Sequence, residues 1–404
     1  MDDLRQKFPL LVNHPELIYF DNAATTLKPQ PVIDAVMNYY VNLSSNIHRG
    51  DYKTAVEATR HYDAVRQKVA DLIHCDPDCV VYTTGTSESL NLIAQGYGMT
   101  HLVKDDVILI SEVEHASNVL PWFNVAKKCE CTIAYVPLND DLSFDLDALD
   151  QIMQTKPVKI VSLAHISNVL GYVNDIDEIA RIVHRNHGIL VIDGAQSVGH
   201  IPVDVTKSDV DFLVFSSHKM TGPTGVGILY GKKHLLDATE PLFYGGDSNA
   251  RYYKDGSYTV KDVPLKFETG TPNIEGIIGF GEAVSFIQSL DLEVLMKHVI
   301  EMQHYIMDEL SKMDHVTVYN PISNTGIVMF NIEGIFPQDV AAYLGHHNIC
   351  VRAGSHCSKL TCGIFETDSS VRASLYFYNT MDEARKFLEV IQSISLEAVV
   401  SLYV

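Results

Sequence analysis

The chain has 404 residues, 46% of them hydrophobic and 20% charged, the profile of a globular protein long enough for two or three domains around a large core. Its formal net charge of −21 argues against a nucleic-acid or anionic-membrane partner, which would want a basic face. Seven cysteines do not make a disulfide scaffold in a chain this long. With the acidic start Met1-Asp2-Asp3-Leu4-Arg5 and no apolar run near the ~20 residues of a membrane helix, they point to a reducing cytoplasm.

Residues 1–30 read as an irregular arm, with a short strand candidate at Leu17–Asp21 and a turn of small residues at Asn22–Thr26. Pro31–Tyr40 reads as a helix with Pro at its first position. Asn46–Gly50 is a loop carrying His48 and Arg49. Apolar residues at 58, 62, 65, 69, 72 and 73 mark a long amphipathic helix. Val80–Tyr82 is a strand that opens into Thr83-Thr84-Gly85-Thr86-Ser87-Glu88, and a helical pattern follows at Leu90, Leu92 and Ile93. Strand, hydroxyl-rich turn and helix together offer backbone N–H groups to a phosphate, with Thr86 and Ser87 as added donors. The same residues also suit an ordinary helix cap.

Apolar runs at 107–110, 132–136, 158–163, 189–192, 212–215 and 227–230 alternate with helical spans such as 175–187. This predicts an α/β fold, a mostly parallel sheet flanked by helices. In such sheets a ligand lies beyond the carboxyl ends of the strands. The polar residues that follow these strands include Glu114 and His115, His165–Asn168, Asp193–Gln196 and Ser216–Lys219. Residues 240–275 are Gly- and Tyr-rich and read as irregular. A helical stretch over 275–312, strands at 316–319, 327–330 and 371–376, and helices at 338–347 and the end make a smaller C-terminal α+β domain. The expected division is an arm at 1–30, a large domain at 31–274 and a small domain at 275–404.

Lys219 follows a buried strand and precedes the Gly-rich stretch Thr221–Gly227. An amine held there is partly desolvated, which lowers its pKa and frees it as a nucleophile or base. A Schiff base with pyridoxal phosphate needs such a lysine. That cofactor also needs a carboxylate for its pyridine nitrogen, an anion cradle and a ring stacker. Asp193 suits the first, Thr86 and Ser87 with Ser216 and His218 the second, and His115 the third, with proton transfer as a further role. Gln196 is placed to hydrogen-bond the cofactor's phenolic oxygen. No metal site is expected, because Cys75/Cys79 and Cys129/Cys131 lack a second pair at zinc spacing.

Ile192-Asp193-Gly194-Ala195-Gln196 and Ser216-Ser217-His218-Lys219 resemble the class V aminotransferase family of fold-type-I pyridoxal-phosphate enzymes. More narrowly, the chain is similar to cysteine desulfurases of the SufS type. The likeness runs from Tyr19–Ala24 through His48-Arg49-Gly50, Gly85–Glu88, Glu114-His115, Ser167–Gly171 and Gly270–Asn273 to Arg372–Tyr376. The resemblance implies that Lys219 carries the cofactor and moves the substrate's Cα proton. It implies that Cys357, in Arg352-Ala353-Gly354-Ser355-His356-Cys357, takes the sulfur of L-cysteine as a persulfide, leaving alanine. Arg372 would grip the substrate carboxylate, with Asn168 and His48 in supporting roles. Gly246 and Thr271 would reach the partner subunit's phosphate in a homodimer. The acceptor would be a protein of a SUF-type system for iron–sulfur cluster assembly. The catalysis needs a thiolate, and a nearby His356 or Arg352 lowers a thiol's pKa. The departures are Ser355, where relatives often carry another His, and Ser358–Cys362, which lacks a common Pro. Selenocysteine lyase, or a class V lyase or epimerase that uses no thiol, remains an alternative.

Overall fold

The computed structural model describes residues 2–402. Strands are numbered in chain order: β1 Ile18–Tyr19, β2 Val80–Thr83, β3 Val107–Ile110, β4 Thr132–Tyr135, β5 Val158–Ala164, β6 Ile189–Asp193, β7 Phe212–Ser216, β8 Gly227–Gly231, β9 Asn249–Tyr252, β10 Tyr258–Val260, β11 Val316–Val318, β12 Ile327–Ile332, β13 Ile349–Cys350, β14 Arg352–Gly354 and β15 Ser370–Ser374.

The main sheet has seven strands in the order β2-β8-β7-β6-β5-β3-β4. β8 runs antiparallel to both of its neighbours, and the other pairs are parallel. Its central strands are buried along their whole length, as in Phe212–Ser216 and Gly227–Gly231. That is the expected pattern for strands covered by helices on both faces. The carboxyl ends of β2, β3, β5, β6 and β7 point to one edge.

The small domain is built on an antiparallel sheet in the order β11-β12-β15-β14. Arg352 on β14 lies directly opposite Arg372 on β15. Like charges facing each other across strands are unfavourable, so this pairing is a mark of a site that takes an anion.

Several expectations need correction. The arm is not irregular: it carries helices at Asp2–Arg5 and Pro9–Asn13. Its strand is only Ile18–Tyr19, paired parallel with Ile349–Cys350. The 240–275 stretch is not irregular throughout, because β9 and β10 form an antiparallel hairpin. The helix read across 275–312 is two helices, Ile274–Gln288 and Leu292–Leu310, the second capped by Asp291 accepting from Val294 N. The first packs against the helices Gln30–Asn38 and Lys53–Ile73. We therefore place the division between large and small domain at 289–291 rather than at 274/275. The last strand ends at Ser374 instead of Tyr376. Among the described residues, no helix is long and apolar enough to cross a membrane.

Candidate active site

A cavity of about 220 Å³ opens at the strand ends, between the two domains. Its large-domain wall carries Thr86, Ser87, His115, Asn168, Asp193, Gln196, Ser216, His218 and Lys219, and its small-domain wall carries Arg352, His356, Cys357 and Arg372. The sequence reading had these residues scattered over nearly 290 positions, and the fold brings them together.

Asp193 ends β6 and is buried; its carboxylate accepts from Ala195 N at 2.9 Å. Burial raises its pKa, while the Ala195 N–H and Lys219 pull it back. Lys219 sits in a single tight turn, Ser217–Lys219, directly after β7. Burial lowers its pKa to about 8, against the opposing pull of Asp193, and Arg372 and Arg352 lower it further. An amine in this state supplies a nucleophile near neutral pH.

The hydroxyl-rich turn is held by backbone contact. A Cβ on Gly227 would lie 2.3 Å from Gly85 Cα, so only glycine lets β8 approach the turn. Ser216 Oγ then accepts from Thr86 N at 2.9 Å and bonds Thr86 Oγ1 at 2.8 Å. Ser87 Oγ meets Ser117 Oγ at 2.6 Å. The buried end of Gln196 is fixed by donating to Ala23 O at 2.9 Å.

His115 caps the turn Ala116–Asn118, its Nδ1 accepting from Ser117 N at 3.1 Å. That hydrogen bond leaves the ring proton on Nε2. Burial, then Lys219, lowers its pKa to about 4, so the ring is neutral. His218 is held neutral in the same way, near 4.

The cysteine loop is pinned to the large domain at three points. Ala116 N donates to Cys357 O at 2.7 Å. Asn168 Nδ2 donates to His356 O at 2.9 Å, and Ser358 Oγ donates to Asn168 Oδ1 at 3.1 Å. His356 and Cys357 both have positive φ, 51° and 57°. Two consecutive non-glycine residues there store strain, a common feature of functional loops. The Cys357 side chain is exposed.

Arg372 is buried, and burial lowers its pKa to about 10. Its Nη1 donates to Asn168 O at 3.1 Å, and its Nη2 lies 3.6 Å from Asp21 Oδ1. Its Nε is buried without a partner among the described residues.

Some assignments change. His356 cannot activate the thiol as a cation: burial, then Arg372, holds its pKa near 3, and its Nε2 is bonded to Ser370 O at 3.0 Å. Both ends of the Asn168 amide are hydrogen-bonded to the cysteine loop. His48, Gly246 and Thr271 lie outside the cavity. His48 and Thr271 line a separate open groove of about 570 Å³, with His48 Nε2 2.8 Å from Asp63 Oδ1. Gly270 N donates to Gly246 O at 2.8 Å, joining the two loops, and Arg49 pairs with Asp247. Ser117 is a wall residue that the sequence did not single out, and Arg352, read there only as a neighbour of the thiol, also lines the wall. Arg352 had a signal in its position two residues from the loop's glycine, and Ser117 in following His115 on a strand-end loop.

The strand-end pocket and the mostly parallel sheet flanked by helices set the architecture. The model of the aminotransferase class V family matches residues 18–387, and the chain belongs to that family. Its relatives narrow the group. A probable cysteine desulfurase of Halalkalibacterium halodurans is 41% identical over 385 residues, covering 94% of each chain. A cysteine desulfurase of Haloferax volcanii is 36% identical over 382 residues, covering 93% of this chain and 89% of that one. Among solved structures, the apo cysteine desulfurase of Thermococcus onnurineus superposes with a TM-score of 0.92 at 36% identity, covering 97% of each chain. An Escherichia coli cysteine desulfurase in an S-sulfonic acid form gives 0.91 at 32% identity, covering 99% of this chain and 98% of that one. Within the class, this chain is thus a member of the cysteine desulfurases. The family implies pyridoxal phosphate, and a neighbour of the same fold at 21% identity carries glycine linked to that cofactor.

Proposed function

We propose that the protein binds pyridoxal 5'-phosphate and desulfurates L-cysteine, moving its sulfur to Cys357 as a persulfide and releasing L-alanine. The observation that carries this reading is the pinned cysteine loop: the exposed thiol and the depressed amine of Lys219 line one small cavity, on opposite walls.

The donor set fits the cofactor. Lys219 would hold its aldehyde carbon, Asp193 its ring nitrogen, Gln196 its phenolic oxygen and His115 one ring face. The Thr86 and Ser87 turn, with Ser216 and His218, would cradle its phosphate. When bound, pyridoxal phosphate supplies the electron sink that makes the substrate's Cα proton acidic. The protein's own residues do the rest. Arg372 takes the substrate carboxylate, and its unpartnered Nε gives that anion a donor. Lys219, neutral above about pH 8, accepts the Cα proton. The Cys357 thiolate attacks the substrate sulfur; an S–S bond forms as the Cβ–S bond breaks, and its electron pair stays with carbon. Lys219, once it holds the Cα proton, is the acid that returns one, and the neutral His115 ring can donate a hydrogen bond from Nε2.

The same reading puts Gly246 and Thr271 at the partner's phosphate in a homodimer, with His48 in support of substrate binding. The groove lined by His48 and Thr271, the bond that ties Gly246 to Gly270 beside it, and the exposed Phe243, Tyr244, Tyr252, Tyr253 and Tyr258 support the homodimer, since large exposed apolar faces mark interfaces. The persulfide would pass to a sulfur-acceptor protein of a SUF-type system for iron–sulfur assembly. The short, docked loop favours an acceptor that comes to Cys357 over a loop that swings out.

The test is Cys357→Ser. The variant should keep the visible absorption of bound pyridoxal phosphate and form no alanine or sulfide from cysteine. Turnover at the wild-type rate would exclude the thiol from the reaction.

A further inference from the structure

Glu114 lies one residue before His115, yet it does not line the cavity. It is 1% exposed, and among the described residues it pairs with no cation. Its Oε1 accepts from Ser111 Oγ at 2.6 Å and from Ala164 N at 3.1 Å, and its Oε2 accepts from Asn118 Nδ2 at 2.7 Å. Ala164 ends β5 and lies beside Asp193 on β6. Asn118 Oδ1 in turn accepts from Trp122 Nε1 at 3.2 Å and from Ser162 Oγ at 2.6 Å. Burial is the main cause that raises the carboxyl's pKa to about 7. Burying a carboxyl without a cation costs several kcal/mol unless its oxygens are all satisfied. A core that needed only packing would use an apolar residue here.

The bond to Asn118 closes the chain over the segment between them, which contains His115 and Ala116. His115 presents its ring to the cavity, and Ala116 N carries the Cys357 carbonyl. We infer that Glu114 is a positioning residue that fixes the His115 ring and the Cys357 loop in one frame with the end of β5. This rests on the desulfurase reading and extends it: one buried group sets the placement of both the cofactor's stacking face and the sulfur acceptor thiol.

The network's polarity makes the inference testable. Trp122 Nε1–H is a donor only, so Asn118 must turn its Oδ1 toward it and its Nδ2 toward Glu114. Glutamine at 114 then sets an amide N–H against either Asn118 Nδ2 or Ala164 N, a donor–donor clash in both orientations. Exchanging the pair, E114Q with N118D, restores a partner for every atom and keeps one carboxylate.

The experiment measures four quantities for wild type, E114Q and E114Q/N118D. They are the kcat and KM for alanine formation by the holoenzyme, the alkylation rate of Cys357 in the apoprotein, and the thermal midpoint. E114Q should retain bound cofactor and KM, lose roughly one to two orders of magnitude in kcat from misplacement, and show faster alkylation as the loop loosens. E114Q/N118D should recover most of both. The inference is overturned by wild-type kcat and alkylation in E114Q, or by a loss that the exchange does not restore although the protein folds. Should E114Q fail to fold, Ser111→Ala removes one bond only, and unchanged kcat and alkylation there overturn it equally. If wild type itself makes no alanine, the desulfurase reading has failed, and the apoprotein alkylation rates still decide the role of Glu114.

Discussion

The two walls of the cavity are built differently. The large-domain wall is made from the ends of buried strands: Asp193 closes β6 and is buried, and Lys219 follows β7 in a single tight turn. The small-domain wall joins Arg352 and Arg372, fixed on strands, to a loop at positive φ that carries the exposed Cys357 and is pinned by hydrogen bonds to Ala116 and Asn168. A rigid wall suits a bound cofactor, whose ring must stay fixed in an electrostatic frame. A loop held by a few polar contacts suits a group that must receive sulfur from inside and offer it outside. The division of labour follows from where each residue sits in the chain.

That contrast can be broken from the small-domain side first. Arg372→Lys keeps the charge and loses the planar fork. The KM for cysteine should rise roughly 10- to 100-fold from the lost bidentate contact, with cofactor absorption unchanged; an unaltered KM would remove Arg372 from substrate binding. Asn168→Ala cuts two side-chain bonds to the loop, each about 1 kcal/mol. Turnover should fall roughly tenfold, while Cys357 becomes more reactive toward iodoacetamide. If turnover falls and alkylation is unchanged, Asn168 acts on substrate and not on the loop.

The large-domain wall is sharpened by pH. The folded pKa of Lys219, about 8, lies below the usual lysine value of 10.5. The unfolded chain therefore binds this proton more tightly, so the buried amine costs the apoprotein stability below pH 8, and the cost fades as pH rises toward 10.5. Lys219→Met should make the apoprotein more stable than wild type at pH 7, with the difference shrinking above pH 8. Urea midpoints of the two apoproteins at several pH values check this. A difference that is constant with pH would mean the amine is not desolvated.

How much of this was legible depended on the range of the interactions. Strands such as Phe212–Ser216 announce themselves in continuous apolar runs, and the polar residues that follow them marked the correct cavity edge. The strand at Ile18–Tyr19 showed in its local pattern, but its partner Ile349–Cys350 lies more than 300 residues away, and no local pattern encodes that pairing. The β9–β10 hairpin did carry a signal, Asp255-Gly256 with Gly256 at φ 88°, the usual dipeptide of a tight turn. His356 was misread because proximity in sequence to a cysteine does not say where a ring points. Its Nε2 faces Ser370, and burial holds it neutral. Glu114 was visible beside His115, but its partners Ser162 and Ala164 by way of Asn118 and β5 belong to another strand.

The most direct measurement is mass spectrometry of the purified holoenzyme after brief incubation with L-cysteine and without reductant. The peptide bearing Cys357 should carry one added sulfur atom, with alanine in solution in matching amount. Alanine formed while that peptide stays unmodified, or sulfur found on Cys362 or another cysteine instead, would contradict a transfer across this cavity.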